Sequence, residues 1–232
     1  MKKKQPYIIL ILKVAKMNKL FLIIAVLLYS CTIMAQDPVI NFKLSKAMQF
    51  YYHKIDLAEN MLIVNEQEKA TRYYDSAFAK NKKPFAKDIF NAFIANINIQ
   101  HYDKALPLYK RLLNLGIKQS YLPENEKMTS FFNTYSQQLN SYKPVTTFNK
   151  ALIDTLNKLF AIDQFHRTDY TKYKAEIKTD DSICGIRLLN LINKFGFPDD
   201  YSIGIESASM LDHHFYYIIW HQGTSRQTNF TH

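Results

Sequence analysis

A segment of the chain repeats at a spacing of 35 residues, and this repeat constrains the fold more than any other feature. Residues of similar type occupy equivalent positions in three pairs: Ala70 and Ala105, Tyr74 and Tyr109, and Ala77 and Leu112. Within each unit the positions are separated by four and then three residues, so they share one helix face. Internal repeats of this length are typical of stacked helical units.

A further helical segment precedes each unit, over about 45–63 and 84–99, and Pro84 suits the first turn of the second. The two helix pairs resemble the tetratricopeptide repeat, whose period is about 34 residues. Ala58 fits the small position of that family's first helix, while Leu112 departs from its pattern. The resemblance covers about 45–118 and implies a concave helical surface that binds a protein partner. A following helix over about 124–140 is predicted to cap the stack.

A break is predicted at Tyr142-Lys143-Pro144, because a helix seldom continues through the residue before proline. Helices are expected beyond it at about 145–166 and 182–195, then an extended or turn segment at 201–205. Residues 207–221 suit a last helix, although 215–220 fit a strand equally well. The sequence therefore predicts a mainly α fold. Tetratricopeptide-like hairpins at 36–142 are followed by a small helical or α+β C-terminal domain at 143–232.

The C-terminal half contains one candidate polar site. Asp163 and Arg167 are four residues apart and continue an apolar helix face, where a carboxylate and a guanidinium must pair or bind a ligand. With His221 they can form an acid–base site in which the aspartate orients the histidine. The alternative, which the sequence favours, is a buried salt bridge and a structural histidine that tie two helices together.

The order of features in this half also resembles a bacterial domain family of unknown function. The residues that carry the resemblance are an Asp-Gln-x-x-Arg helix end at 163–167, Gly196-Phe197-Pro198, Gly204 and His221, within about 150–223. Trp220 stands where many members have Gln, and the chain ends soon after His221. These departures predict a truncated or degenerate copy, and the family implies no reaction.

The first 35 residues are predicted to be a secretory signal peptide. Met17-Asn18-Lys19 is followed by an apolar run over 20–29, and Ala35 precedes the predicted cleavage point. Residues 1–16 are either an extension before a true start at Met17 or part of a two-helix membrane anchor. A second alternative is lipidation, because 28–31 resemble a lipobox that ends at Cys31. The protein is therefore expected in the periplasm or outside the cell, or anchored to the envelope by a lipid.

Charge and motifs exclude several functional classes. The net charge is +10, but six lysines and no acidic residue lie in 1–35, which leaves +4 for 36–232. That excess does not indicate a nucleic-acid partner. No nucleotide-binding, hydrolase-elbow, HExxH or CxxC motif is present, so no cofactor and no metal are expected. His214 and His221 would lie about 10 Å apart along a helix, too far to share one metal ion. Cys184 is expected to be a buried, inert thiol.

Together these features predict an exported protein-interaction or structural module of the bacterial cell envelope, rather than an enzyme. The alternative is a small-molecule-binding or hydrolytic domain that uses Asp163, Arg167 and His221.

Overall fold

The computed structural model describes residues 44–206 and 213–222. The predicted leader, with Met17, the cleavage point after Ala35 and the alternative lipidation site Cys31, lies outside the described residues. The end of the chain after Gln222, on which the prediction of a truncated copy rests, lies outside them as well.

The described residues are 74% helical and contain no strand, which confirms the mainly α fold class. Residues 215–220, for which a strand was the alternative, are helical. The nine helices of this part of the chain are α1 Lys46–Ile63, α2 Gln67–Lys80, α3 Ala86–Asn98, α4 Tyr102–Asn114, α5 Glu126–Asn140, α6 Lys150–Phe165, α7 Lys174–Phe195, α8 Asp200–Ile203 and α9 His214–Trp220. None of them is long and apolar enough to cross a membrane.

The first four helices form two hairpins whose connecting turns have the same geometry. α1 packs along α2, and α3 packs along α4. Asn65 and Gln100, which are 35 residues apart, adopt φ angles of 60° and 59° at the end of the first helix of each hairpin. In each turn the amide of the following residue donates a hydrogen bond to the carbonyl five residues before it. The donor is Glu66 in the first turn, at 2.8 Å, and His101 in the second, at 2.9 Å. The turn geometry therefore repeats with the same period as the sequence.

The equivalent positions of the repeat are buried in both hairpins. All six residues of the three pairs are at most 5% exposed. Ala70, Tyr74 and Ala77 pack against residues of α1 that include Ala58. In the second hairpin, Tyr109 stacks on Phe93 with ring centroids 5.3 Å apart. Phe131 of α5 meets Phe93 edge-on at 5.5 Å, so α5 packs against the second hairpin.

Several helix boundaries differ from the predictions because local capping groups decide where a helix begins. α6 starts at Lys150 rather than near 145. Its N-cap is Asn149, whose side chain accepts a hydrogen bond from the Leu152 amide at 3.0 Å. Pro84 lies before α3 rather than in its first turn, since Phe85 is still extended. Residues 201–203, part of the extended or turn segment predicted at 201–205, form the end of the four-residue helix α8 rather than an extended segment. A capping box between Asp199 and Ser202 holds that short helix.

The helix predicted at 182–195 begins eight residues earlier, because α7 starts at Lys174. Not all of its apolar residues are buried, since Ile186 is 59% exposed and Phe195 is 42% exposed. The buried side chains of α7 are instead those of Ile177, Cys184 and Leu188. Cys184 and Leu188 pack in one cluster with buried residues of α6 and α9.

Direct contacts join the two parts that the sequence predicts as separate domains. The ring of Phe148 lies against Gly116 at the end of α4 and against Gly204 after α8. The Ile205 amide donates to the Leu115 carbonyl at 2.8 Å. The described residues from Ser45 onward belong to one compact unit. The boundary at 142 stays a prediction.

Candidate functional site

The structure brings together the three residues that the sequence singles out. Asp163 lies in the last turn of α6, Arg167 in the 3-10 turn that follows, and His221 directly after α9. The Asp163 carboxylate is 2.8 Å from His221 Nδ1, and one of its oxygens is 3.3 Å from a terminal nitrogen of Arg167. The Asp163 side chain is 0% exposed. Its charge is therefore balanced inside the protein rather than by water.

Helix packing explains why Asp163 is buried. Leu152, Leu156, Leu159 and Asp163 are separated by four, three and four residues, so they share the buried face of α6. The leucines pack against Phe215 and Ile218 of α9. His221 follows Ile218 by three residues and so lies on the adjacent part of the same helix face. The apolar contacts between α6 and α9 thus place the histidine beside the carboxylate.

The sequence analysis missed a fourth member, Asp181. Its carboxylate accepts a hydrogen bond from Arg167, so the guanidinium joins Asp163 to Asp181. Burial raises the pKa of Asp181, although the nearby Arg167 charge opposes this shift. Asp181 was missed because α7 was predicted to start at 182. In the longer helix, Ile177, Asp181 and Cys184 share one face, and that spacing was the available signal. Asp163, Arg167, Asp181 and His221 are called the Asp163 cluster below.

A neighbouring histidine–aspartate pair was also missed. His166, the residue after α6, has its Nδ1 2.7 Å from the Asp180 carboxylate. Asp180 and Asp181 are consecutive in α7, and they hold consecutive residues at the end of α6, namely His166 and Arg167. A histidine–aspartate hydrogen bond and an adjacent arginine–aspartate ion pair therefore fasten the end of α6 to α7.

The Asp163 cluster has the geometry of an acid–base pair. Because a carboxylate only accepts, the Nδ1 of His221 carries the proton in this hydrogen bond. The Nε2 of His221 has no partner among the residues that the structure describes. A carboxylate that orients an imidazole in this way is a common arrangement in general acid–base sites.

Three members of the Asp163 cluster carry groups that could ligate a metal ion. Ligand atoms of Asp163, Asp181 and His221 lie within 4.8 Å of one another. However, the guanidinium of Arg167 already bonds to both carboxylates. A divalent cation would have to displace it and would meet its positive charge. The donor set therefore suits an internal ion pair better than a metal ion.

A second buried polar cluster surrounds His213. Its Nε2 is 2.9 Å from Asp200 and its Nδ1 is 3.3 Å from Glu206. The other oxygen of Asp200 accepts from the Ala86 amide at 2.8 Å, at the start of α3. Burial works to lower the pKa of His213, but the hydrogen bonds to the two carboxylates outweigh it and raise the pKa to about 9. The imidazolium thus helps to hold the C-terminal segment on the second hairpin.

The stability of the protein is expected to depend on His213 between pH 6.5 and 9. Because folding raises the pKa of His213, the protonated imidazole stabilises the folded protein fully below pH 6.5, the pKa in the unfolded chain. This stabilisation is lost as the pH rises through about 9. The loss is about 3 kcal/mol. Urea denaturation of the wild type and His213→Gln across this range measures it. The difference between the two proteins should shrink as pH rises, and parallel pH curves would contradict the assignment.

The histidines at 213, 214 and 221 lie in different environments. His213 contacts Asp200 and Glu206, and His221 contacts Asp163. The ring of His214 stacks on Phe160 with centroids 4.3 Å apart. Glu206 also accepts a hydrogen bond from the backbone amide of His214 at 3.0 Å, but no carboxylate contacts the rings of two of these histidines in the described part of the chain. Their rings therefore do not form one site.

Cys184 is buried between α7 and α6, as the sequence predicts. Its thiol contacts the Leu159 carbonyl at 3.5 Å. Burial raises the pKa of this thiol to about 11, and the carboxylate of Asp163 adds to the shift. The thiolate that reacts in nucleophilic chemistry is therefore disfavoured at neutral pH.

Comparison of the chain with protein-family models, curated proteins and solved structures found no match.

Proposed function

We propose that this protein is exported to the bacterial cell envelope and binds a protein partner through its two N-terminal helical hairpins. The observation that carries the proposal is the repeated hairpin, with the same buried positions and turn geometry at a spacing of 35 residues. Repeated helical hairpins bury a core between neighbouring units and leave an extended surface for a partner. Export rests on the predicted signal peptide.

An exposed aromatic pair at the junction of the hairpins supports this role. Tyr52 of α1 and Phe85 at the start of α3 are 37% and 44% exposed, and their rings stack with centroids 6.2 Å apart. Beside them, Lys87 and Glu59 form an ion pair at 2.9 Å. Exposed aromatic residues beside charged groups are typical of the residues that dominate protein interfaces. We name Tyr52 and Phe85 the aromatic pair.

The test is a binding comparison with a matched control. A photo-crosslinker at Lys87 is used in envelope fractions, first in the wild type and then with Tyr52→Ala and Phe85→Ala combined. The control is Phe195→Ala. Phe195 is 42% exposed and is the last residue of α7, outside the two hairpins. We expect one protein to crosslink to the wild type and the control, and its yield to fall about tenfold in the double variant. A partner retained by the double variant, or no crosslinked protein, would contradict the proposal.

A second role, small-molecule binding or hydrolysis at Asp163, Arg167 and His221, is favoured by one observation. His221 is oriented by a fully buried carboxylate, while its Nε2 has no partner among the described residues. This arrangement allows His221 to accept a proton from a bound molecule or from water. The role requires that the fold survive when the ion pair of the Asp163 cluster is broken.

A further inference from the structure

A cleft of about 550 Å³ lies beside the C-terminal end of α6. Sites for small ligands usually measure about 300–1,000 Å³. The walls of this cleft consist of rings and uncharged polar groups, and none of the lining residues is an aspartate, glutamate, lysine or arginine. They are Ala161, Gln164, Phe165, His166, Thr168 and Tyr173.

The rings of the cleft present separate faces. Phe165 is 73% exposed, and its ring meets His166 edge-on, with centroids 4.8 Å apart and planes at 76°. The ring of Tyr173 lies 5.1 Å from His166 with the planes at 43°. A flat aromatic ligand cannot be sandwiched between rings at such angles. A ligand with one apolar face can instead pack on a single ring.

The polar groups of the cleft both donate and accept hydrogen bonds. Asp180 binds His166 through Nδ1, and Nε2 has no partner among the described residues. Gln164 donates its amide to Asp163 at 2.7 Å, which leaves its carbonyl oxygen as an acceptor. Thr168 adds a hydroxyl, which does both. These groups form hydrogen bonds with a neutral polar ligand without bringing a net charge to it.

We propose that this cleft binds a neutral saccharide. A sugar ring has an apolar face of C–H groups that packs on one aromatic ring, and its hydroxyl groups both donate and accept. A phosphate or carboxylate ligand fits less well, because it requires a cation in the wall. Lys172 holds its ammonium over the Tyr173 ring at 4.6 Å from the centroid, but it does not line the cleft. This site goes beyond the protein-binding role and does not depend on it.

Saturation-transfer NMR on the purified protein tests the proposal. The saccharide probes are cellobiose, maltose and N,N′-diacetylchitobiose, and adenosine represents flat heterocycles. We expect at least one disaccharide to bind with a dissociation constant of about 1 mM. Phe165→Ala should weaken that binding by about tenfold, because the exposed ring supplies the stacking face. Phe165 buries little surface, so its loss leaves the fold intact, and circular dichroism verifies this.

Phe195→Ala is the matched control, since Phe195 is also an exposed phenylalanine at a helix end but does not line the cleft. Its saccharide binding should equal that of the wild type. The proposal is overturned if none of the three disaccharides binds, if adenosine alone binds, or if Phe165→Ala binds the saccharide as tightly as Phe195→Ala does. Loss of the protein partner in the aromatic-pair variant would have no bearing on these outcomes.

Discussion

Replacing Gly204 by alanine is expected to destabilise the protein by about 3–5 kcal/mol, as the sum of backbone strain and overpacking. Gly204 has φ +82° and ψ 179°, a conformation that residues with a side chain rarely adopt. A Cβ atom there would lie 3.0 Å from the Phe148 ring and 3.4 Å from the Leu115 carbonyl oxygen. Phe148 also touches Gly116, so its ring cannot move away freely. The substitution should therefore loosen the contact between the second hairpin and α6.

Gly196 provides a matched control for this experiment. It has nearly the same backbone conformation, with φ 82° and ψ 172°, but a Cβ atom there meets nothing within 4 Å. Gly196→Ala should cost only the strain, about 1–3 kcal/mol. Urea denaturation gives the free energy of unfolding of each variant. If both variants lose the same free energy of unfolding, the contact of the added Cβ with Phe148 does not contribute to the destabilisation.

Replacing Arg167 by alanine is expected to cost about 3–5 kcal/mol, because it leaves buried carboxylates without their partner. Arg167 bonds to Asp163, whose side chain is fully buried, and to Asp181, which is partly buried. Removal of the guanidinium leaves two like charges close together in a site that excludes most water. The measurement is the free energy of unfolding in urea at neutral pH.

The control is Arg72→Ala, because Arg72 pairs with Glu68 at the same spacing of four residues along a helix. That pair is 70% and 63% exposed, so the substitution should change the free energy of unfolding very little. If Arg167→Ala is as mild as Arg72→Ala, the Asp163 cluster is not a structural ion pair. The fold would then survive its loss, as the ligand-binding role requires. A large loss instead assigns the cluster to stability.

The features that could be predicted from the sequence are those that produce regular spacings of similar residues. The shared face within each repeat unit and the pairing of Asp163 with Arg167 both follow from helix geometry, which places residues three and four apart on one face. The repeat itself is visible because similar residues recur 35 positions later in the sequence. Cys184 was expected to be buried from the apolar residues near it. None of these predictions needed knowledge of the packing between helices.

The helix boundaries were less predictable because single capping residues decide them. Asn149 begins α6 five residues later than the apolar pattern suggests. α7 begins at Lys174, in a segment that has few apolar residues. This early start has the larger consequence, since it turns Asp180 and Asp181 from predicted loop residues into members of a helix face. The partners of His166 and Arg167 were missed for that reason.

The sequence alone therefore determined the helical class, the spacing of the repeated hairpins and the local pair of Asp163 and Arg167, because residue spacings along the chain indicate all three. Only the tertiary structure decided that Asp181 completes the cluster and that Asp200 and Glu206 enclose His213. Such partners lie on different helices, and their meeting depends on how apolar faces pack. No short spacing in the sequence encodes that arrangement.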